Sequence, residues 1–289
     1  MMNITWDTDV YCLIGHPVSK SLSPVIHNSF FELIDKNCLY LVFDVEEGNL
    51  KTIIDGIKVL NIKGFNVTLP YKINIIDYLD EISDEAKLIG AVNTVKNERG
   101  KLIGYNTDGM GFIRSLHMMD LDIKNKNMLI LGAGGAANAI ATTLALNGAK
   151  KIYINNRSIE SAKRLAEKIK YQFPNTLVEY GGVDLIGVKK EKIYMIINCT
   201  SAGMYPNVDD IPIILDGFSD DLIVYDLIYK PRNTKLLKVA QDKGYRTING
   251  LYMLINQGLY SQKIWIDDEK CNVYNYFDEI RRVLENDIE

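Results

Sequence analysis

We predict a two-domain α/β protein whose sheets are mainly parallel, and three features of the sequence support this fold class. The chain has 289 residues, which is enough for two domains of ordinary size. Short β-branched runs alternate with helical patterns along nearly the whole chain, as is typical of β-α-β units. The alternation restarts at Met128, so we expect a second sheet from that residue onwards.

The composition indicates a folded globular protein. Hydrophobic residues make up 47% of the chain and charged residues 24%, which is ordinary globular usage. The formal net charge is -4, which argues against a nucleic-acid partner or an anionic membrane surface. The 4 cysteines are widely spaced and share no ligand pattern with the 3 histidines, so we expect no disulfide framework and no metal site. The first residues lack a secretory pattern, which favours the cytoplasm.

One uncharged stretch, residues 128–149, is long enough to span a membrane. It contains Asn138, Asn147 and four glycines, which suit a strand, a tight turn and a short helix better. We therefore expect no membrane span.

The same patterns place the individual elements. We predict strands at 11–15, 39–43, 63–67, 91–95 and 102–105, then at 128–131, 151–155, 193–198 and 222–226. Ser23 followed by Pro24 predicts a helix start, with the serine as cap. Further helices are expected at 110–119, where the domain boundary would lie, and at 159–171, 251–264 and 273–286. No strand follows the last two helices, so their apolar faces must pack on a domain already formed.

A glycine-rich turn follows the predicted strand MLIL. The turn runs from Gly132 through Ala137 and has the form G-x-G-x-x-A, with an uncharged helix after it. Such glycines permit a tight turn and let a pyrophosphate approach the N–H groups that open the helix. We predict a dinucleotide site here, and a glycine turn without a ligand is the alternative.

The next strand indicates which dinucleotide binds. Chains that bind NAD usually carry an acidic residue there, about twenty residues after the glycines. This chain has Asn155, Asn156, Arg157 and Ser158 instead. A guanidinium would bind a 2′-phosphate through charge-assisted hydrogen bonds worth about 1.5–3 kcal/mol. NADP is therefore favoured over NAD, unless Arg157 is only a solvated charge at a helix start.

Polar residues also follow the predicted strands of the first domain. Ser21 and Ser23 lie at a helix start that could hold a carboxylate, although Ser23 could equally be a plain cap. Lys72 follows a proline turn, Asn93 closes the run GAVNT, and Asp108 comes after the next strand. A dehydrogenase needs a group that handles the hydroxyl proton. Lys72 and Asp108 are candidates for this group. Alternatively, Lys72 is simply exposed and Asp108 caps the following helix.

Nine fragments in this order resemble the shikimate dehydrogenase family over nearly the whole chain: GHPVSKSLSPVIHN, NVTLPYK, GAVNT, NTDGMG, GAGGAA, NNRS, NCTSAGM, YDLIY and GLYMLINQ. The resemblance implies reversible NADPH-dependent reduction of 3-dehydroshikimate to shikimate, in chorismate and aromatic amino acid biosynthesis. It also implies a substrate domain of residues 1–111 and 250–289, completed by the C-terminal helices, and a Rossmann NADP-binding domain of residues 112–249.

The resemblance assigns roles to individual residues. It implies Lys72 and Asp108 as the catalytic pair, and the sequence leaves open which of the two carries the proton. The implied substrate ligands are Ser21, Ser23, Thr68, Asn93, Tyr229 and Gln257. The implied cofactor ligands are Gly132, Ala133, Gly134, Gly135 and Ala136 for the pyrophosphate, Asn156, Arg157 and Ser158 for the 2′-phosphate, and Thr200, Ser201, Met204 and Gly250 on the nicotinamide side. No metal is implied.

Two alternatives remain open on the sequence. NADP-specific members often carry a second basic residue where this chain has Ser161, with Lys163 and Arg164 a little further on. A quinate/shikimate dehydrogenase with NAD or dual cofactor use is therefore one alternative, and a non-catalytic dinucleotide-binding regulator is the other. Retention of Lys72 and Asp108 speaks against the regulator. We expect a monomer or a homodimer.

Overall fold

The structure, a computed structural model, describes residues 4–182, 192–266, 268 and 270–288. The chain forms two compact units. Unit 1 consists mainly of Met1–Gly111 and Ile255–Asp287, and unit 2 of Phe112–Leu254. The two divisions fall within helices α4 (Asp108–His117) and α8 (Leu251–Ile266).

Unit 1 is built on a six-stranded sheet. Its strands are β1 (Asp9–Gly15), β2 (Cys38–Asp44), β3 (Gly64–Val67), β4 (Glu81–Ile82), β5 (Thr94–Glu98) and β6 (Lys101–Tyr105). They lie in the order β2-β1-β3-β5-β6-β4, and only β5 runs antiparallel to its described neighbours. Because β5 is reversed, its first residue lies at the same edge as the last residues of β3 and β6.

The helices of unit 1 cover this sheet. They are α1 (Ser23–Leu33), α2 (Leu50–Val59), α3 (Asp84–Ile89) and α9 (Phe277–Ile288), with 3-10 turns at Asn74–Tyr78 and Val273–Tyr276. On α2 the buried residues Leu50, Ile54 and Ile57 follow helical spacing. They join Ile14 and Phe65 of the strands in one hydrophobic cluster, which explains why this segment forms a helix against the sheet.

Unit 2 has a second six-stranded sheet in which all paired neighbours are parallel. Its strands are β7 (Asn127–Leu131), β8 (Lys151–Asn155), β9 (Leu177–Gly181), β10 (Met195–Asn198), β11 (Ile223–Asp226) and β12 (Arg246–Ile248), and its helices include α5 (Gly135–Leu146), α6 (Ile159–Gln172) and α7 (Lys235–Asp242). The strand order is β12-β11-β10-β7-β8-β9. This is the doubly wound arrangement of a Rossmann domain.

Four strands of unit 2 end in register. Leu131 pairs with Asn155 on one side and with Asn198 on the other, and Asn198 pairs with Asp226. The strand order reverses between β7 and β10, and open α/β sheets bind their ligands at the carboxyl edge of such a point. The glycine turn after β7 and the loop after β10 therefore start side by side.

The uncharged stretch 128–149 forms β7 and α5. Met128 and Ile130 of the strand share a hydrophobic cluster with Ile140 and Leu144 of the helix. The stretch lacks charge because it is the centre of a folded unit. In the part of the chain that the structure describes, no helix is long and apolar enough to cross a membrane.

The predicted elements differ from the structure in a few places. β5 begins at Thr94 instead of residue 91, because α3 ends at Gly90 with a φ of 67° and the next residues bond to other segments. β4, β9 and β12 were not predicted, since two of them have only 2 and 3 residues and β9 is a largely exposed edge strand. The last helix begins at Phe277, after a 3-10 turn.

Gly64 provides a test of the packing between α8 and the first sheet. A Cβ at this position would overlap the indole of Trp265, which is buried and donates to the carbonyl of Val95 at 3.0 Å. We expect Gly64→Ala to lower the free energy of unfolding by about 1–3 kcal/mol, as measured by urea denaturation.

Gly56→Ala is the matched control. Gly56 lies inside α2, and no atom lies within 4 Å of its Cβ position. The same change should raise the free energy of unfolding here by about 0.5–1 kcal/mol, because alanine is the better helix former. Equal effects of the two substitutions would contradict the packing described for Trp265.

Candidate active site

Lys72 and Asp108 meet at the edge of the first sheet. The Lys72 Nζ lies 2.6 Å from Asp108 Oδ2, and the two side chains are only 16% and 8% exposed. Lys72 follows the turn after β3, whereas Asp108 is the first residue of α4, beyond β6. A carboxylate is favoured at a helix N-terminus. The two strand ends thus bring together opposite charges that are 36 residues apart in the chain.

Asn93 holds the other oxygen of Asp108. Its Nδ2 donates to Asp108 Oδ1 at 2.8 Å and to Thr107 Oγ1 at 2.9 Å, and its Oδ1 accepts from the Thr107 N–H at 2.8 Å. Asn93 reaches this place because it directly precedes the reversed strand β5. The two carboxylate oxygens therefore have different partners, an ammonium and an amide, which together fix the orientation of Asp108.

Helix α8 brings Gln257 to the same cluster. The Gln257 Oε1 lies 3.4 Å from Thr107 Oγ1 and 3.5 Å from Asn93 Nδ2. The whole of unit 2 separates Gln257 from β6 in the sequence. The return of the C-terminal helices to unit 1 therefore completes the site.

Three buried polar residues that the sequence analysis did not select belong to this cluster: Asn66, Thr107 and Ser261. Asn66 Nδ2 lies 3.1 Å from both the Asn93 carbonyl and Ser261 Oγ. Each of the three is close in sequence to a selected residue. Asn66 lies in the fragment NVTLPYK, Thr107 lies in NTDGMG, and Ser261 lies one helical turn after Gln257. Their proximity to the selected residues could have identified them from the sequence. Their burial, however, depends on tertiary packing.

Ser21, Ser23 and Thr68 lie in the loops after β1 and β3, which are neighbours in the sheet. The prediction that Ser23 caps α1 is wrong. The cap position is Leu22, which makes no side-chain hydrogen bond, and Ser23 is the first helical residue. The Ser23 N–H instead donates to Ser21 Oγ at 3.2 Å. The Ser23 hydroxyl therefore does not serve as the helix cap.

Tyr229 differs from the other predicted substrate residues because it belongs to unit 2, in the segment after β11. Burial raises the pKa of its hydroxyl, so the side chain is neutral at physiological pH. Its role towards a substrate stays a prediction.

The glycine turn of unit 2 leaves space in front of a helix. Gly132 has a φ of +109°, a conformation that favours glycine, and a Cβ there would lie 3.2 Å from the backbone of Cys199. Gly134 is the cap residue of α5, and no atom lies within 4 Å of its Cβ position. With Ala133, Gly135 and Ala136 this turn fits a pyrophosphate, which backbone N–H groups at a helix start can bind.

The end of β8 carries the predicted phosphate ligands. Asn156 Nδ2 donates to the Ser158 carbonyl at 3.0 Å, Ser158 caps α6, and Arg157 is exposed. A second guanidinium reaches the same helix start, because Arg164 Nη2 donates to Ser161 Oγ at 3.0 Å. Position 161 is not basic, yet two arginines lie at this turn.

The remaining predicted cofactor ligands follow β10 and β12. Thr200 Oγ1 donates to Asn198 Oδ1 at 2.7 Å, and Ser201 and Met204 are exposed in the next turn. Gly250 packs so closely on the segment after β11 that a Cβ would overlap a backbone carbonyl. Among the described residues, no group of histidine, cysteine and acidic side chains could hold a metal ion.

Two protein-family models match the chain. The model described as "Shikimate dehydrogenase substrate binding domain" matches residues 13–95, and "Shikimate / quinate 5-dehydrogenase" matches residues 115–202. A curated relative, the shikimate dehydrogenase (NADP(+)) of Methanocaldococcus jannaschii, is 49% identical over 263 residues. The alignment covers 89% of this chain and 91% of that relative.

Solved structures agree with the family models. A crystal structure of a shikimate dehydrogenase in complex with NADP+ has a TM-score of 0.90 and 45% identity, and the match covers 99% of this chain and 98% of the other. The shikimate 5-dehydrogenase of Listeria monocytogenes, in complex with shikimate and NAD, has a TM-score of 0.88 and 38% identity over 97% of this chain and 98% of its own. With these similarities over nearly its full length, the chain belongs to the shikimate dehydrogenase family.

Proposed function

We propose that this protein is an oxidoreductase that catalyses the reversible NADPH-dependent reduction of 3-dehydroshikimate to shikimate, a step of chorismate and aromatic amino acid biosynthesis. The observation that carries the proposal is the contact between Lys72 and Asp108 at 2.6 Å in a poorly exposed site. A protein that only sensed a dinucleotide would have no use for a proton-handling pair. Membership of the shikimate dehydrogenase family supports the choice of substrate.

Lys72 acts on the proton of the reaction. NADPH, when bound, supplies the hydride that reduces the ketone carbon. The Lys72 ammonium donates a hydrogen bond to the ketone oxygen and passes a proton to it, and in the reverse direction the lysine takes the hydroxyl proton. Asp108 orients the ammonium and offsets its charge.

The substrate ligands divide by the groups that they can recognise. Ser21 and Ser23 offer hydroxyl and N–H donors for the substrate carboxylate, and Tyr229 would approach the same end. Three side chains suit the ring hydroxyls of the substrate because each can both donate and accept a hydrogen bond: Thr68, Asn93 and Gln257. Asp108 would accept from a hydroxyl as well. We assign unit 1 to substrate binding and catalysis on this basis.

We assign unit 2 to NADP. The turn of Gly132, Ala133, Gly134, Gly135 and Ala136 would hold the pyrophosphate. The 2′-phosphate would lie at Asn156, Arg157 and Ser158. The nicotinamide would face Thr200, Ser201, Met204 and Gly250. The open space before α5 and the exposed guanidinium of Arg157 support the assignment.

A quinate/shikimate dehydrogenase with NAD or dual cofactor use is the second candidate. Two observations favour it: position 161 is a serine, and the relative from Listeria monocytogenes was solved with shikimate and NAD. The strand β8 ends in Asn155, followed by Asn156 and Arg157, with no acidic residue at these positions, and this speaks for NADP.

We further infer a small-molecule enzyme of the cytoplasm that acts as a monomer or homodimer, without a nucleic-acid or membrane partner. The 4 free cysteines suit a reducing compartment, and the acidic net charge of -4 does not suit a polyanion.

The proposed function is tested by mixing pure protein with shikimate and NADP+, and separately with quinate and with NAD+, while the absorbance of the reduced nicotinamide is followed. We expect turnover with shikimate and NADP+ to exceed every other combination. Turnover with quinate comparable to that with shikimate would favour the second candidate, and no turnover with any pair would favour a regulator.

Lys72→Ala should lower kcat by at least about 100-fold, because the proton transfer loses its donor. Steady-state kinetics with shikimate and NADP+ measure the effect, and circular dichroism checks the fold. Lys87→Ala is the matched control, since Lys87 pairs with Asp84 on the surface of α3. A Lys72 variant with near-normal kcat would remove this lysine from the mechanism.

Arg157→Ala should weaken NADP+ binding by roughly 10-fold or more and leave NAD+ binding nearly unchanged, because only NADP+ carries the 2′-phosphate. Isothermal titration with each dinucleotide measures the difference. Lys163→Ala removes a charge from the same helix, where Lys163 lies 4.0 Å from Glu167, and should affect neither ligand. Equal losses for NADP+ and NAD+ in the Arg157 variant would show that this arginine does not recognise the phosphate.

A further inference from the structure

Asp226 is a fully buried carboxylate that the proposed chemistry does not use. It is the last residue of β11, and its exposed fraction is 0%. The hydrogen-bond partners found for it in the described part of the chain are neutral donors. A carboxylate without a cation is costly to bury, so an apolar residue would be easier to place at this position.

The two oxygens of Asp226 accept from three different segments. Asn198 Nδ2 and the Ile228 N–H donate to Oδ1 at 3.0 and 3.1 Å, and Thr234 Oγ1 donates to Oδ2 at 2.7 Å. Asn198 ends β10, Ile228 follows β11, and Thr234 is the cap of α7. One carboxylate therefore connects the end of one strand, the segment after the next and the start of a helix.

Asn198 extends this connection to Thr200. While its Nδ2 donates to Asp226, its Oδ1 accepts from the Thr200 N–H at 3.0 Å and from Thr200 Oγ1 at 2.7 Å. The conformation of the loop after β10 therefore depends on the orientation of the Asn198 amide, which Asp226 fixes at 3.0 Å together with the more distant Ala202 carbonyl at 3.4 Å.

Ile228 extends the connection to Gly250. The Ile228 N–H donates to Asp226, and its carbonyl accepts from the Gly250 N–H at 3.1 Å. Gly250 also packs against the carbonyl of Leu227 without space for a Cβ. The loop after β10 thus carries Thr200 and the segment after β11 contacts Gly250, and both residues are assigned to the nicotinamide side.

We propose that Asp226 is a positioning residue for the nicotinamide half of NADP, because its carboxylate holds the loop after β10 and the segment after β11 in a fixed relation. The inference rests on the proposed function, which places Thr200 and Gly250 against the nicotinamide. The residues assigned to the adenosine 2′-phosphate, Asn156, Arg157 and Ser158, take no part in these hydrogen bonds.

The protonation state of Asp226 affects this role. Burial raises the pKa of Asp226 to about 6, and the hydrogen bonds from Thr234, Ile228 and Asn198 limit the rise. Once protonated, one oxygen becomes a donor and can no longer accept as the carboxylate does. The nicotinamide part of the site therefore loosens as the pH falls from about 7.5 to about 5.5.

Other titratable groups near these segments do not account for the same change. The titratable side chains closest in the chain to Asp226 and its partners are Cys199, Tyr225, Tyr229, Lys230, Arg232 and Lys235, and Arg246 lies on the neighbouring strand β12. Burial raises the pKa of both tyrosines, so they stay neutral. Lys235 donates to the carbonyl of Asp209 and Arg246 to that of Met119.

The test compares two ligands of the intact protein by isothermal titration: NADP+ and 2′,5′-ADP, which is the adenosine half alone. Asp226→Asn places an amide where the Thr234 hydroxyl needs an acceptor. We expect this variant to bind NADP+ roughly 3- to 10-fold more weakly at about pH 7.5 and to bind 2′,5′-ADP as the wild type does.

The pH dependence provides a second readout. As the pH is lowered from about 7.5 to about 5.5, the ratio of the affinities for NADP+ and 2′,5′-ADP should fall in the wild type relative to the same ratio in Asp226→Asn. Both ligands carry a titrating 2′-phosphate, and 2′,5′-ADP also carries a titrating 5′-phosphate. The wild type is therefore compared with the variant, because the phosphates of each ligand contribute equally in the two proteins.

Two further variants complete the experiment. Thr234→Val removes the donor to Oδ2 and should change the ratio in the same direction, which keeps the test available if Asp226→Asn does not fold. Ser115→Ala removes another buried hydrogen bond of unit 2, from Ser115 Oγ to Tyr225 OH at 2.7 Å. It should lower stability and leave the ratio unchanged.

An unchanged ratio in both Asp226→Asn and Thr234→Val, or an equal change in Ser115→Ala, would overturn the inference while leaving the proposed function intact. Failure of the wild type to bind NADP+ would overturn the proposed function and this inference together.

Discussion

The ammonium of Lys72 and the carboxylate of Asp108 are largely buried at the edge of the first sheet. The arrangement of the site in unit 1 depends on providing hydrogen-bond partners for these two charges. Two charges removed from water need each other and further hydrogen-bond partners. Lys72 supplies the countercharge for Asp108, and Asn93 supplies the amide donor for its second oxygen. The antiparallel strand β5 places Asn93 there, because only its reversed direction brings the start of a strand to the carboxyl edge of its neighbours.

Unit 2 contains a carboxylate in a contrasting environment. Among the described residues, Asp226 is buried with neutral donors, namely two side chains and one backbone N–H. Burial in neutral surroundings raises its pKa to about 6, whereas the carboxylate of Asp108 faces a cation. The chemistry proposed for the two residues follows from this difference. A carboxylate beside an ammonium can take part in proton exchange at the substrate, and one surrounded by neutral donors serves to hold backbone segments in place.

The predictions from sequence succeeded where the signal is local. The turn at Gly132 lies between a buried strand and an uncharged helix, and the three elements are contiguous in the chain. The sequence did not predict β4, because a strand of 2 residues is too short to show a periodic pattern. It did not predict β9 either, because this edge strand is largely exposed and has little hydrophobic pattern. The cap of α1 was misassigned at Ser23, since a serine before a proline has the composition of a cap without its geometry.

By itself, the amino-acid sequence determined the α/β class, the position of the glycine turn and the family motifs, since each of these depends on residues adjacent in the chain. Only the tertiary structure decided which polar side chains meet. Asn66 and Ser261 join the cluster around Asn93 although most of the chain separates them, and Asp226 is tied to Asn198 across two neighbouring strands. The physical reason is that a buried neutral polar residue leaves no local pattern, and its partner is chosen by strand order and helix packing.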